Sequence, residues 1–361
     1  MRTIGVEEEL MLVDAAGERS VPHGPAVIEQ AADGGDHPVE HEFKREQVEI
    51  GSEPVTDLRQ LRSDLAALRA RAAEAARARG ATIVAIATSP WKLSPQSTPD
   101  ERYLTMVEEF GLLAREQLTC GQHVHVSIES RAEGVAVLDR IRGWLPVLVA
   151  LSANSPFWQG QDTGYSSFRS VLWGRWPSAG PVDVFGSEAA YDRAVAELIT
   201  AGAALDEAMI YFDARLSSRY PTVEIRVADV CTEVEDAVLL AALARAMVET
   251  AAQRWRAGAP TPQAATGLLR AASWRAARWG MRRTLVDPRS GRPVPAWSLV
   301  DELVTLLRPA LVSSGDVEVV CAAMRRLRQQ GTGADRQRAA YAGSQSLAVV
   351  VRDAGRRTLG A

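Results

Sequence analysis

Residues 3–13 read Thr-Ile-Gly-Val-Glu-Glu-Glu-Leu-Met-Leu-Val, three consecutive carboxylates inside an otherwise apolar, β-prone run. No other stretch restricts the fold as tightly. Side chains alternate faces along a strand, so Glu7 and Glu9 point together while Glu8 points away. Two carboxylates on one face repel each other and resist burial. Such a strand either turns that face to solvent or lines a cleft where a divalent cation neutralises it. Hard Mg²⁺ prefers carboxylate oxygen.

Three more strand-like stretches repeat the pattern. Glu42-Phe-Lys-Arg-Glu-Gln-Val-Glu49-Ile is acidic and alternating, with Glu49 set between Val48 and Ile50. His123 and His125 share a face in Cys-Gly-Gln-His-Val-His-Val, as do Glu224 and Arg226 in Pro-Thr-Val-Glu-Ile-Arg-Val. Ionisable pairs from four strands on one face point to a metal and polyphosphate cleft over a merely solvated surface. The chemistry such a cleft suits is phosphoryl transfer, with carboxylates and an imidazole holding Mg²⁺ and arginines neutralising the transferred group. Among 41 basic residues, lysine occurs only at Lys44, after Phe43, and Lys92, after Trp91. A Walker A loop needs Gly-Lys-Ser/Thr and is therefore excluded. Any triphosphate must be held by metal ions and by guanidinium forks, which bind carboxylate or phosphate in bidentate fashion.

The remaining patterning predicts one α+β domain over 1–361, with a helical C-terminal third and a tail over 311–361 that carries no motif. Helices are expected over 57–79, 100–116, 132–153 (bent at Pro146), 188–201 and 234–256. Strands are expected over 39–50, 81–88, 118–128, 209–212 and 222–227, and a hairpin over 286–294. Residues 154–181, rich in Gly, Ser, Trp and Arg, make a connection long enough to suggest function. The net charge of −4 with interspersed signs argues against a nucleic-acid partner. Apolar runs such as 144–153 are too short for a membrane span. Cys120, Cys231 and Cys321, odd in number and unpaired in spacing, suit reduced thiols in the cytoplasm, and the N-terminus shows no signal peptide.

Three motifs are weighed and set aside. His37-Pro-Val-Glu-His41 fits a zinc-peptidase pattern, but Pro38 and the alternation that follows favour extended chain, which separates the two imidazoles. Ser89-Pro-Trp-Lys92 lacks the companion motifs of the penicillin-binding enzymes. Gly331-Thr-Gly333 follows a helix-like run and reads as a helix-ending turn.

A series of segments resembles the bacterial carboxylate-amine ligases related to glutamate–cysteine ligase, the type 2 group. They are Gly5-Val-Glu7-Glu-Glu9, Gln47-Val-Glu49-Ile, Cys120-Gly-x-His123-Val-His125-Val and Ser152-Ala-Asn-Ser-Pro-Phe-Trp158, followed by Arg169-Ser-x-Leu-Trp173, Arg175-Trp-Pro and Tyr220-Pro-Thr-Val-Glu224-Ile-Arg226. They appear in family order across about 3–310. The resemblance implies a glutamine-synthetase-like antiparallel sheet forming an open cleft flanked by helices. It implies that ATP phosphorylates a substrate carboxylate, the γ-carboxylate of glutamate being the usual one, and that an amine such as cysteine attacks the acyl phosphate.

Carried over position by position, the resemblance makes Glu7, Glu9, Glu42, Glu49, His123 and Glu224 the Mg²⁺ ligands, Glu42 on spacing alone. Arg226 is placed at the transferred phosphate as the catalytic residue and with His125 at the nucleotide. Arg169, Asn154 and Trp173 are placed at the amino-acid substrate. Partners are small molecules, and homo-oligomers are common in the family. Glu46 and Asp162 are the candidates for the base that deprotonates the amine. Other readings remain open: a ligase of another thiol or secondary-metabolite pathway, a metallohydrolase that works without ATP, and a non-catalytic Mg²⁺-nucleotide sensor.

Overall fold

Antiparallel pairing turns the face alternation of single strands into rows that cross the sheet. The computed structural model, which describes residues 1–32 and 39–360, has a seven-stranded sheet. Its strands are β1 (Ile4–Asp14), β2 (Val39–His41), β3 (Gln47–Gly51), β4 (Ala81–Val84), β5 (Gly121–Ser127), β6 (Ala214–Leu216) and β7 (Thr222–Asp229). Their order is β2-β3-β1-β5-β7-β6, with β4 pairing the far end of β1. Every pairing is antiparallel. This α+β architecture is the class expected from the sequence.

One face is apolar. Ile4, Val6, Leu10, Val124, Val126, Val223 and Ile225 are buried there; the helix Leu58–Ala78 covers β3 and β4, Val234–Arg256 covers β1 and β5, and Leu145–Ser152 covers β7. Asp57 caps the first helix by accepting the Arg59 N–H, and Gly80, at φ +70, terminates it. Glu8 belongs to this face, as alternation demands. It is fully buried against an equally buried Arg69. Arg69 also donates to the carbonyls of Cys231, Thr232 and Thr358, tying β1 to the last helix, Leu347–Thr358. The C-terminal third is helical apart from the hairpin Thr284–Val286 and Pro293–Pro295. No described helix is long and apolar enough to cross a membrane.

Several predicted elements differ. Residues 39–50 split into β2 and β3, leaving Glu42 in the connection. The expected bent helix is two helices, Arg131–Ile141 and Leu145–Ser152, because Pro146 lacks an N–H and fits only a first turn. Residues 209–212 are not a strand: Asp206 caps a 3-10 turn through Met209, and β6 begins at Ala214. His37 and Pro38 lie outside the described residues, while His41 sits in β2.

Residues 154–181 fold as a small hairpin, Phe157–Trp158 and Gln161–Asp162, and a short helix, Phe168–Trp173. Asp229, fully buried at the end of β7, organises them. Its carboxylate accepts hydrogen bonds from Asn154 N at 2.8 Å and from the hydroxyls of Ser155 and Ser167, both at 2.7 Å.

Candidate active site

The opposite sheet face carries the ionisable residues, and the register sets their rows. Arg215, Glu224, His125 and Gly5 face one another across β6, β7, β5 and β1; His123 pairs with Glu7, and Glu9 with Glu49. A bulge between Gln122 and Val124 gives β7 one extra residue opposite β5, at Arg226 and Val227. Bulges of this kind re-aim a side chain.

Two groups of donors result. Glu9, Glu42 and Glu49 each bring a carboxylate oxygen within 4.8 Å of the others, and a carboxylate oxygen of Glu7, one of Glu224 and a ring nitrogen of His125 lie equally close together. Glu42 reaches the first group from outside any strand. His123 lies between the groups, its Nδ1 3.2 Å from Glu7 and its Nε2 3.9 Å from Glu9. The His125 Nε2 lies 3.2 Å from Glu7, and its Nδ1 3.0 Å from the Thr222 hydroxyl.

Burial is the main cause of the charge state here. It pushes the Glu9 carboxyl up to about 7, Glu42 adding to the effect and Arg169 and the Gly121 N–H opposing it. It also raises Glu49 well above the usual range, reinforced by Glu42 and Glu7. Burial and Arg226 push His123 down to about 4, and its Nδ1 lies within hydrogen-bond distance of Glu7. Glu7 is half-buried, and burial pushes its carboxyl up, yet the bonds to His123 and His125 outweigh that and hold it below the usual range.

These residues fit Mg²⁺. The donors are hard oxygens with imidazoles, the raised carboxyls mark burial and, after it, mutual repulsion that a divalent cation relieves, and the buried Nε2 of His123 has no hydrogen-bond partner among the described residues.

Arginines border the carboxylate face. Arg226 is bonded to Glu224 and lies over the Tyr211 ring, 5.9 Å from its centroid. Arg215 grips the same carboxylate at 2.8 and 3.2 Å. Arg169 is held by a hydrogen bond from its N–H to the Ser155 hydroxyl. Its guanidinium packs directly over Gly121, where a Cβ would stand 2.3 Å from Nη2, so only glycine admits it. The guanidinium lies 5.6 Å from the Trp173 ring centroid, and its Nε is buried without a partner among the described residues.

Arg169, Trp173, Tyr211, Asp213 and Arg226 line a cavity of about 520 Å³ beside the carboxylates. Asn154, expected at the substrate, is not among its lining residues. Its amide is consumed inside the fold, donating to the carbonyls of Ala85 and Val230 and accepting from Thr232 and Gln337. It is a brace, and the expectation is corrected. Neither candidate base is free: Glu46 accepts the Gln96 N–H with both oxygens, and Asp162 is paired with Arg338. Sequence reasoning missed Asp213, Arg215 and Asp229. Arg215 was recoverable in principle, since it shares the parity of Glu224 across a short hairpin.

The site is a carboxylate-rich sheet face joined to an arginine-lined cavity, and the likenesses of the chain give its class, an ATP-dependent ligase. The family model of glutamate-cysteine ligase family 2 (GCS2) matches residues 3–352. A Frankia alni protein named "Putative glutamate--cysteine ligase 2-2" is 53% identical over 356 residues, covering 95% of this chain and 93% of that protein. A Streptomyces coelicolor protein named "Putative glutamate--cysteine ligase 2" is 48% identical, covering 99% of both. Among solved structures, a bifunctional glutathione synthetase from Pasteurella multocida superposes with a TM-score of 0.70 at 16% identity; this chain covers 52% of it. A glutamate–cysteine ligase from Francisella tularensis in complex with AMP gives 0.69 at 12% identity, with 89% of that chain covered. These two likenesses show the fold. The chain belongs to glutamate-cysteine ligase family 2, and the family makes it an ATP-dependent ligase.

Proposed function

We propose that this enzyme joins the γ-carboxylate of glutamate to an amine, cysteine being the leading candidate, through an acyl phosphate. The observation that carries the reading is the adjacency of the two donor groups to the cavity holding Arg169, with Arg226 bordering both. The names of the relatives support glutamate and cysteine, and the AMP complex of the Francisella enzyme supports an adenine nucleotide.

Glu9, Glu42 and Glu49 would hold one Mg²⁺, and Glu7, His125 and Glu224 a second, with His123 between them. Mg²⁺ bound there supplies charge neutralisation and alignment of the triphosphate. Arg226 offers its guanidinium to the phosphoryl group as charge develops, and Arg215 keeps Glu224 oriented. Arg169 grips a carboxylate of the amino-acid substrate, and Trp173 walls its chain. The terminal phosphoryl of ATP passes to the substrate carboxylate, giving an acyl phosphate and ADP. The amine nitrogen then attacks the acyl carbon, and phosphate leaves as the amide forms. Holding three reactants in line accounts for much of the acceleration, and no protein nucleophile is needed.

Incubation with Mg·ATP, glutamate and single amines tests this. A γ-glutamyl amide should appear by mass spectrometry together with one phosphate per product. Phosphate release without dependence on any acid, or hydrolysis that ignores ATP, would point instead to a metallohydrolase.

A further inference from the structure

The cavity beside the metal face holds a carboxylate that the reaction as described does not use. Asp213 is pinned at both ends of its peptide unit: its N–H donates to Gly180 O at 3.0 Å, and its carbonyl accepts from Arg226 N at 3.0 Å. Its position relative to Arg226 is therefore set by backbone. Its side chain lines the cavity and makes no hydrogen bond or ion pair among the described residues. The nearest opposing charges are Arg270 and Arg169, neither within salt-bridge distance. Arg270 is exposed at the cavity wall and is likewise unpaired among the described residues. An unpaired carboxylate on a cavity wall beside a buried guanidinium is costly unless a cation joins it. Burial accordingly raises this carboxyl, to about 7.

We propose that Asp213 is the receptor for the α-ammonium group of the acid substrate, making the enzyme selective for an α-amino dicarboxylate over a plain dicarboxylate. The inference rests on the assignment of this cavity to the acid. Arg169 and Asp213 then meet the two charges of an amino-acid head group, while the distal carboxylate faces Arg226. A carboxylate–ammonium hydrogen bond in a partly desolvated cavity is a strong contact, and an acid without the amino group leaves Asp213 unpaired.

The test compares L-glutamate with glutarate, which differ only in the amino group. Hydroxylamine serves as the amine, so that hydroxamate formation reads the acid alone. The wild-type enzyme should favour glutamate in kcat/KM, and Asp213→Asn should reduce that preference about 10- to 100-fold, the range expected for a lost bond to a charged group, chiefly through KM for glutamate. A preference that survives Asp213→Asn while both acids decline together would overturn the proposal. So would a loss confined to kcat, which marks a proton-transfer role, or one confined to KM for the natural amine. Intrinsic-fluorescence titration of the same two acids, in the presence of Mg²⁺ and a non-hydrolysable ATP analogue, reads the subsite without turnover. Absence of hydroxamate with selective glutamate binding that Asp213→Asn removes would refute the ligase reading and keep the subsite. Equal binding of the two acids by the wild type would refute the subsite alone.

Discussion

The pair Glu8 and Arg69 lets the apolar side of β1 be tested separately from its catalytic side. Both side chains are fully buried. Arg69 donates to the two Glu8 oxygens at 2.8 and 2.7 Å and to three main-chain carbonyls, those of Cys231, Thr232 and Thr358. Arg69→Met removes the cation and strands Glu8 in the core, a loss of about 3–5 kcal/mol for an uncompensated buried charge. Glu8→Leu strands Arg69 in turn and should cost a similar amount, softened by the carbonyls it keeps. In the double variant no buried charge is left unpaired, and the three carbonyls lose their donor in Arg69→Met and in the double variant alike, so that cost cancels from the comparison. The double variant should therefore fall short of the sum of the singles by at least about 2 kcal/mol, against the 0.3–0.5 kcal/mol scatter of independent sites. Urea unfolding followed by circular dichroism and tryptophan fluorescence gives the three free energies, coincident curves licensing a two-state treatment. Additive costs would refute the reading that Glu8 and Arg69 form one charge-compensated unit beneath the metal face.

Glu49→Gln and Glu224→Gln should each abolish phosphate release while leaving the circular dichroism spectrum intact; undiminished turnover in both would refute the metal assignment. In EDTA the protein should become less stable as pH rises from about 5 to 8. Glu9, raised to about 7, and Glu49 bind protons more tightly folded than unfolded, so their contribution is present at low pH and lost on ionisation. Mg²⁺ should flatten or reverse that slope in thermal melts, and a slope indifferent to Mg²⁺ would refute the argument. Asn154→Ala should lower the urea midpoint without selectively raising KM for the acid, since its amide bonds are internal. A selective KM effect would return Asn154 to the substrate site.

The carboxylate face was legible because its rule is local. Period-2 alternation put Glu7 with Glu9, His123 with His125, and Glu224 with Arg226, and antiparallel pairing preserved those faces. Glu42 was expected inside one alternating strand, whereas the chain turns between β2 and β3 there and brings its carboxylate to Glu9 and Glu49 from outside any strand. Asn154 was misplaced because nearness to Arg169 in the chain does not fix direction. Its amide turns to partners as distant as Ala85 and Gln337. Asp229 was invisible for the same reason, its three partners lying on a loop that only the folded chain brings to it. Asp213 follows the segment 209–212 that resembled a strand, and its unpaired state is a property of the cavity.

The central claim is that this sheet face transfers a phosphoryl group to a carboxylate. Glutamate labelled with ¹⁸O in its γ-carboxylate tests it directly, with Mg·ATP and cysteine or hydroxylamine present. An acyl phosphate carries one labelled oxygen onto phosphorus, so the released phosphate should be heavier by one ¹⁸O per amide formed. Unlabelled phosphate accompanying amide formation would contradict the account.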